Sequence, residues 1–430
     1  MSHHLLQLDR RGASHTANVL RRYLPGLDPG LAPIDARRAL LPDSTMQALR
    51  LDYGGDNVAA ILRRAGAVGM RAIADLDALE RLLQRDTRAL PPRPAAPAAD
   101  PLWHLDEVRV RGAWAHWGGP LSIDWADVRV GQVDTGYAAH PVLGFPGATW
   151  VDVPAGRTFF APGAGSGGPG PGKGVDPLQD RMDGHGTRVA SVICGHDAAG
   201  PGRPYLGVAP KVPLVPVRIA DHVFISHAQR ELADALDHLV QDARVSVVNL
   251  SMGFLPRWQT GQLDRAIDRA YEAGVIFVCA AGQPLSHVVS PAHGRRSIAT
   301  AGSTRAGIPW GQSARGGAVD WAAPAAAITR AQAEPGRAAG YAGTGDGTSY
   351  AAAITTGAAA LWLARHAREL DRAYPERWQR VEAFKSVAKA SAKRMPNQQP
   401  GSFGAGILQI DALVNRALPP AASLRKERPA

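Results

Sequence analysis

The amino-acid sequence predicts an α/β fold with a largely parallel, doubly wound sheet and helices on both faces. From residue 103 onward, short apolar runs such as "VPLVPVRIA", "VSVVNLSMG" and "VIFVCAAG" alternate with longer amphipathic runs such as "HAQRELADALDHLVQDA" and "LDRAIDRAYEAG". Apolar runs of strand length are typical of parallel strands buried on both faces, and their alternation with helical runs indicates βαβ units. Reactive groups in such sheets collect at the carboxyl ends of the strands, so we expect a functional site there.

Composition narrows the classes of function. The chain has 430 residues and a net charge of +10, but its arginines are scattered and form no basic run, so we expect no nucleic-acid partner. No run of 18 apolar residues occurs, and the first residues, "MSHHLLQLDRRGASH", lack the apolar segment of a signal peptide. The sequence therefore predicts no membrane association and a cytoplasmic location. Cys194 and Cys279 lie in apolar runs and are expected to be buried and reduced.

The chain is predicted to contain a small domain, a linker, a large domain and a tail. Residues 1–90 have the pattern of a small α+β domain, with strands in "MQALRLDY" and "AVGMRAIADL" and helices in "NVAAILRRAG" and "DALERLLQR". Residues 91–101 are rich in proline and alanine, as in a stiff connector. The large domain is expected over 102–415, with a Gly/Pro-rich surface insertion at 161–177, and residues 416–430 are expected to be a flexible tail.

Three polar residues follow predicted strands or precede predicted helices of the large domain. Asp134 follows the apolar run "VGQV", His185 lies in the glycine-flanked loop of "DGHGTRVAS", and Ser349 lies where "GDGTS" leads into an Ala-rich helix. Each has an ordinary structural explanation when it is taken singly: a turn cap, a cap or surface histidine, and a helix N-cap. Together, in this order, they supply the acid, the base and the hydroxyl of a catalytic triad.

The chemistry of a triad explains the residues around these three positions. A serine hydroxyl becomes a good nucleophile when an imidazole accepts its proton, and the imidazole works best when a carboxylate fixes its tautomer. Glycines beside His185 and before Ser349 remove side chains that would block an incoming backbone. A serine at a helix N-terminus also presents its own N–H to developing negative charge. These features predict Ser349 as the attacking group.

The three segments belong to a wider resemblance. "VDTGY", "DGHGTRVAS" and "GTSYAAA", in that order, resemble the signature segments of the subtilisin-like serine proteases. Similar segments from "GVAPKVPLVPVRI" to "FGAGILQIDAL" extend the resemblance over about residues 102–415. The resemblance implies a subtilisin-like fold, a triad of Asp134, His185 and Ser349, and an endopeptidase that cleaves peptide or protein substrates through an acyl-enzyme.

The same resemblance implies two substrate-binding segments. The first would offer backbone groups to an extended peptide, and the second would line the primary specificity pocket. Their members are Leu250, Ser251, Met252 and Gly253 in the first segment and Ala280, Ala281 and Gly282 in the second.

Two of the departures from the family pattern bear on the expected site. Gln283 stands where the family has an asparagine whose side chain donates to the oxyanion. Glutamine carries the same amide on one extra methylene, so Gln283 is either the oxyanion donor or a surface or structural residue. Arg188 stands where the family has a second histidine, near the expected mouth of the site. Its charge indicates either a weak preference for acidic substrates or an ordinary solvated arginine.

No cofactor is expected. Family members often hold calcium, and the loop "VDPLQDRMD" contains Asp176, Asp180 and Asp183. These carboxylates lack a recognisable ligand spacing, so the loop is interpreted as a polar surface loop without a metal, and calcium dependence is left open.

Two alternatives stay open in the sequence. Residues 1–90 resemble a prosegment that acts as an intramolecular inhibitor and is cut away between about Ala89 and Trp103, or they form a regulatory domain that stays attached. The chain is expected to be an active endopeptidase, and the alternative is a catalytically weak or inactive subtilisin-fold module that binds peptides. Ester hydrolysis or peptide ligation would use the same acyl-enzyme.

Overall fold

The computed structural model describes residues 2–9, 30–32, 46–53, 70–75 and 100–429, apart from 160–172, 179–181, 201–203, 226–227, 255–258, 284–286 and 334–338. The chain divides into two compact units. The smaller unit comprises residues 1–91 and 257–261, and the larger comprises residues 92–256 and 262–430.

The smaller unit contains a four-stranded antiparallel sheet with the strand order β2-β3-β1-β4. The strands are β1 Ser2–Asp9, β2 Gly30–Ala32, β3 Met46–Tyr53 and β4 Met70–Asp75. Strands β3 and β4 are the two that the sequence predicts. No strand is predicted at β1, because "SHHLLQLD" has two adjacent leucines instead of an alternating pattern, and none is predicted at β2, which has only three residues. The predicted helices of this unit lie outside the described residues.

The larger unit is built on a seven-stranded sheet with the order β13-β12-β11-β10-β5-β9-β6, in which every neighbouring pair is parallel. This is the parallel sheet that the apolar runs predict, and every residue of its central strands β5, β9, β10 and β11 is buried. The seven strands are β5 Val130–Asp134, β6 Arg157–Thr158, β9 Leu214–Arg218, β10 Val247–Leu250, β11 Ile276–Ala280, β12 Ile298–Ser303 and β13 Trp321–Pro324.

Two small antiparallel pairs complete the strands of this unit. They are β7 His196–Asp197 with β8 Tyr205–Leu206, and β14 Ile328–Gln332 with β15 Gly340–Gly345. The described α-helices are α1 Trp103–Glu107, α2 Val110–Trp114, α3 His185–Cys194, α4 Gln229–Asp237, α5 Gly261–Glu272, α6 Thr348–Ala373, α7 Trp378–Ser391 and α8 Ile410–Asn415.

Helix α6 is the longest of the described helices and packs against the sheet. It contacts strands β10 to β13 and helix α3, and all of its residues from 348 to 363 are buried. A helix that is apolar on every side is expected inside a protein, and the small side chains of "AAAITTGAAA" allow its neighbours to approach closely. Its N-terminus therefore lies at a fixed position relative to the sheet.

Part of the C-terminal segment 416–429 is held by contacts with the rest of the larger unit, whereas its composition predicts a flexible tail over 416–430. Leu424 is buried, and the Glu427 N–H donates to the hydroxyl of Tyr271 at 3.0 Å. The Glu427 carbonyl accepts a hydrogen bond from Arg296 at 2.8 Å. Backbone groups make these contacts, and side-chain composition does not reveal them.

Cys194 and Cys279 are buried and free, as expected, and burial raises the pKa of the Cys194 thiol to about 12. None of the helices in the described part of the chain has the length and apolar character needed to cross a membrane.

Candidate active site

Asp134 is the last residue of β5, a central strand held between β9 and β10. Its side chain is buried, and its Oδ1 accepts hydrogen bonds from the Thr135 N–H at 2.8 Å and from the His185 ring at 2.6 Å. Because β5 is paired on both sides, the carboxylate is fixed at the carboxyl edge of the sheet.

His185 is the first residue of α3 and lies between two glycines with different roles. Gly184 has a left-handed φ of +66°. A Cβ on Gly186 would lie 1.9 Å from the Gly136 carbonyl oxygen, so no other residue fits there without movement. His185 is 5% exposed, and its Nδ1 donates to Asp134. With the proton on Nδ1, Nε2 of the neutral ring carries the lone pair and can accept a proton.

A buried carboxylate, Asp176, ties these two elements together. Its Oδ2 accepts hydrogen bonds from the Thr135 hydroxyl and from the Gly184 N–H, both at 2.9 Å. The Thr135 hydroxyl in turn accepts one from the Gly186 N–H at 3.1 Å. Burial raises the pKa of the Asp176 carboxyl. Asp176 thus connects the end of β5 to the start of α3.

The expectation of a polar surface loop is therefore wrong for Asp176. Its companion Asp180 lies outside the described residues, and the Asp183 carbonyl accepts a hydrogen bond from Arg188. Within the described part of the chain, no group of three or more His, Cys, Asp or Glu side chains is arranged to hold a metal ion.

Ser349 is the second residue of α6, and α6 packs against α3, the helix that begins with His185. Its buried hydroxyl donates to the Ser251 carbonyl at 3.2 Å, and the Ser251 hydroxyl donates to the Ser349 carbonyl at 3.1 Å. Ser349 and His185 both belong to the described part of the chain, and no hydrogen bond joins the Ser349 hydroxyl to the His185 ring. The acid and the base are therefore in contact, whereas the hydroxyl is bonded to backbone.

Gln283 is anchored at the start of the same helix. Its Oε1 accepts hydrogen bonds from the Thr348 N–H at 3.1 Å and from the Thr348 hydroxyl at 2.5 Å. The Thr348 oxygen also accepts one from the Gly282 N–H at 3.1 Å. Within the described residues the Gln283 amide nitrogen has no hydrogen-bond partner, and it lies 3.3 Å from the position that a Cβ on Gly347 would take. The amide NH₂ is thus the end of this side chain that is available to a ligand.

The first substrate-binding segment is less open than the family resemblance implies. Leu250 belongs to β10 and pairs on both sides, with Val133 and Cys279. The Gly253 N–H donates to the Val223 carbonyl at 3.0 Å, and the Gly253 carbonyl accepts from the Ile225 N–H at 2.9 Å. These backbone groups of Leu250 and Gly253 are thus paired within the chain, and their binding of a peptide stays a prediction.

The two middle residues of that segment are Ser251 and Met252. The Ser251 carbonyl contacts Ser349, as described above, and Met252 is buried. Residues 223–225, which follow β9, lie directly against Gly253. This pairing joins residues distant in sequence, so no local pattern indicates it.

The second segment lies beside the start of α6. Ala280 ends β11, the Ala281 N–H donates to the Thr300 carbonyl at 3.0 Å, and the Gly282 N–H contacts Thr348. The segment that was expected to line the specificity pocket is thus hydrogen-bonded to the residue before Ser349.

Arg188 is not the solvated charge expected at the mouth of the site. It is largely enclosed, its Nη1 donates to the Asp183 carbonyl at 2.5 Å, and burial lowers the pKa of its guanidinium. The nearby Arg330 lowers that pKa further, and Tyr350 raises it. A preference for acidic substrates therefore has no support from Arg188.

Comparisons with known proteins agree with this architecture. The model of the subtilase family, peptidase S8, matches residues 127–406. Minor extracellular protease Epr of Bacillus subtilis (strain 168) is 25% identical over 318 residues, which are 72% of this chain and 41% of that protein. Subtilisin DY of Bacillus licheniformis is 28% identical over 190 residues, 43% of this chain and 54% of that protein. This chain thus spans about half the length of these relatives.

Solved structures share the fold. A protease of Pseudoalteromonas arctica PAMC 21717 superposes with a TM-score of 0.59 at 23% identity, covering 74% of this chain and 97% of that one. MycP1 from Mycobacterium smegmatis superposes with a TM-score of 0.56 at 21% identity, covering 76% and 88%. The family match covers most of the larger unit, and this unit contains the seven-stranded parallel sheet with a buried acid and base at its edge. This chain therefore belongs to the subtilase family.

Proposed function

We propose that the chain is a serine endopeptidase that hydrolyses peptide bonds through an acyl-enzyme, with Asp134, His185 and Ser349 as its triad. The observation that carries the proposal is the 2.6 Å contact between His185 Nδ1 and Asp134 Oδ1, at the sheet edge where the packed helix α6 begins. A buried carboxylate in this place fixes the tautomer that leaves Nε2 free to act as a base.

The first half of the proposed reaction forms the acyl-enzyme. The Ser349 oxygen attacks the carbonyl carbon of the peptide bond while its proton passes to His185 Nε2. Asp134 stabilises the imidazolium, which then gives the proton to the nitrogen of the leaving amine as the C–N bond breaks. The new amino terminus departs, and the rest of the substrate is held as an ester of Ser349.

The second half returns the enzyme to its starting state. Water attacks the ester carbon and gives a proton to His185 Nε2. That proton then passes to the Ser349 oxygen as the C–O bond breaks, and the carboxylic acid product leaves.

Two N–H donors are available for the oxyanion of each tetrahedral intermediate. Ser349 is the second residue of α6, so its N–H has no acceptor within the helix. The Gln283 amide nitrogen is the second donor, because Thr348 holds the oxygen end of that side chain. Supplying donors in fixed positions is among the largest contributions to the rate of acyl transfer.

The hydroxyl must turn from Ser251 to His185 before it can attack. This turn gives up one neutral hydrogen bond, whose net contribution is about 0.5–1.5 kcal/mol. Enzymes lower the activation free energy of their reactions by roughly 8 kcal/mol or more, so this cost is small in comparison. Catalytic hydrogen bonds also tighten when substrate binds. The bond to Ser251 is therefore compatible with the proposal.

Hydrolysis of fluorescein-labelled casein by the full chain tests the proposal. We expect turnover by the parent protein and none above background for Ser349→Ala, whereas the control Ser423→Ala, at an exposed serine far along the chain, keeps parental activity. A parent protein that is folded but inactive, or an active Ser349→Ala variant, would refute the proposal.

The second candidate is a peptide-binding module without activity. One observation favours it: the Ser349 hydroxyl is bonded to the Ser251 carbonyl and not to the His185 ring. Such a module would retain intact casein peptides in a pull-down and release no fragments, so the same experiment separates the two candidates.

For residues 1–90 we propose a prosegment that the enzyme itself removes. Their strands form a separate sheet in the smaller unit, as a self-contained inhibitor would need. Mass spectrometry of the purified chain should show a cut between residues 89 and 103 in the parent and none in Ser349→Ala. A parent that stays intact while it cleaves casein would instead indicate an attached regulatory domain.

A further inference from the structure

The further inference rests on the proposed function and concerns the substrate residue whose carbonyl Ser349 attacks, the P1 residue. Two backbone segments flank the start of α6. On one side the Ser251 carbonyl accepts the Ser349 hydroxyl at 3.2 Å, and on the other the Gly282 N–H donates to Thr348 at 3.1 Å. By the family resemblance, the side chain of a P1 residue at Ser349 would lie between these two segments.

A third segment, residues 288–290, joins the two flanking segments. The Val289 N–H donates to the Ala281 carbonyl at 2.9 Å, and Ser290 and Phe254 exchange hydrogen bonds of 2.8 and 2.9 Å. These bonds place Val289 across the gap, as the floor between the two walls.

The Val289 side chain occupies the space that side chains at Gly253 and Gly282 would take. A Cβ on Gly253 would lie 2.5 Å from Val289 Cγ2, and a Cβ on Gly282 would lie 2.7 Å from Val289 Cγ1, whereas ordinary contacts are 3.4 to 4 Å. Each methyl group thus rests against the Cα of one wall. The residue is 8% exposed, so it is almost fully enclosed by these contacts.

The two walls are held in place and resist spreading. Gly253 is paired to residues 223 and 225, and the Gly282 carbonyl accepts a hydrogen bond from the Ala314 N–H at 2.8 Å. Gly282 also has a φ of +105°, which a residue with a side chain rarely adopts. Close-packed groups that cannot move apart reject added volume at a cost of a few kcal/mol.

We infer that Val289 determines the specificity of this enzyme and that P1 is a small residue, Gly, Ala or Ser. A leucine or phenylalanine at P1 would need the space that the two Val289 methyl groups occupy. One methylene in a hydrophobic pocket already changes kcat/KM by about 10- to 200-fold, so an aromatic ring is rejected by at least about 100-fold.

The test begins with casein digested by the parent chain, with the P1 residue of each new fragment read by mass spectrometry. A peptide built on the most rapidly cleaved site is then made with either Ala or Phe at P1. We expect kcat/KM to be at least about 100-fold higher for Ala. Val289→Gly should lower this ratio by about tenfold or more, through faster cleavage of the Phe peptide. The matched control is Val319→Ala, at a comparably buried valine outside the three segments, which should leave the ratio unchanged.

The outcomes separate the inference from the function on which it rests. Parental cleavage after Leu or Phe, or a ratio that Val289→Gly leaves unchanged, overturns the inference and leaves the protease intact. Absence of any cleavage of casein overturns the proposed function itself. If Val289→Gly does not fold, as judged by circular dichroism, Val289→Ala must shift the ratio in the same direction, and failure to do so overturns the inference.

Discussion

Two buried histidines of the larger unit have very different surroundings. His185 is 5% exposed and lies at the carboxyl edge of the sheet, where its Nδ1 is 2.6 Å from the Asp134 carboxylate. His104 is fully buried in α1, and neither of its ring nitrogens has a hydrogen-bond partner within the described residues. Burial and, to a smaller extent, the charge of Arg111 lower the pKa of His104 to about 3.

The difference shows what a histidine needs in order to act as a base. A buried ring without a carboxylate stays neutral, because nothing compensates for the loss of water around its charged form. A ring beside a carboxylate can take up a proton during a reaction and hold it until the leaving group needs it. Burial alone therefore does not indicate function. What distinguishes His185 is its carboxylate partner together with its place beside the start of α6.

The largest expected effect is the loss of kcat when His185 is replaced, and replacement of His104 is the comparison. His185→Ala should lower kcat by about 10⁶-fold, a magnitude carried over from the relative subtilisin, because the serine loses its proton acceptor. His104→Leu should keep kcat within about threefold of the parent value, since that ring touches no reacting group. Steady-state hydrolysis of a peptide measures both. Equal losses in the two variants would contradict the distinction.

The next effect isolates the acidic partner of His185. Asp134→Asn should lower kcat by about 10⁴-fold with the fold unchanged, because an amide no longer fixes the proton on Nδ1. Peptide hydrolysis and circular dichroism of the same preparation check this expectation. Retention of parental turnover would remove Asp134 from the mechanism.

A smaller effect is expected at the oxyanion donor beside the same edge. Gln283→Ala should lower kcat by about 10²- to 10³-fold and leave KM nearly constant, because the donor acts on charge that appears only in the transition state. That range is the one for an oxyanion donor in subtilisin. Gln262→Ala, at an exposed glutamine of α5, is the control and should behave as the parent. A pure KM effect in Gln283→Ala would instead assign this side chain to substrate binding.

The smallest effect concerns stability at the other histidine. The pKa of His104 is about 3 in the folded chain and 6.5 in the unfolded chain, so between these values the unfolded state binds the extra proton. This histidine's contribution to stability therefore falls as the pH falls below 6.5. At pH 5 the loss is about 2 kcal/mol.

Urea unfolding of the parent and His104→Leu at pH 7 and pH 5 measures that loss. The parent should lose about 2 kcal/mol more than the variant on acidification. The same pH dependence in both proteins would show that His104 is not the neutral, unpartnered ring described above.

The sequence predicts the parts of this molecule that depend on local pattern. The runs "VPLVPVRIA" and "VIFVCAAG" contain strands β9 and β11, because continuous burial on both faces demands continuous apolar residues. His185 and Ser349 could be located for a similar reason, since each needs glycines and a helix start in its own segment.

What the sequence does not reveal depends on contacts between distant segments. Asp176 connects to Thr135 across about forty positions of sequence, and Gly253 pairs with residues 223–225. Val289 reaches both glycine walls only because a third segment crosses between them. None of these contacts changes the local composition, so pattern and propensity carry no signal for them.

Covalent labelling with a fluorophosphonate, mapped by mass spectrometry, tests the central claim most directly, because the probe reacts only with a serine that a neighbouring base has activated. The account predicts one adduct on Ser349, no adduct in Ser349→Ala, strongly slowed labelling in His185→Ala and parental labelling in His104→Leu. An unlabelled parent chain, or an adduct on a different serine, would contradict it.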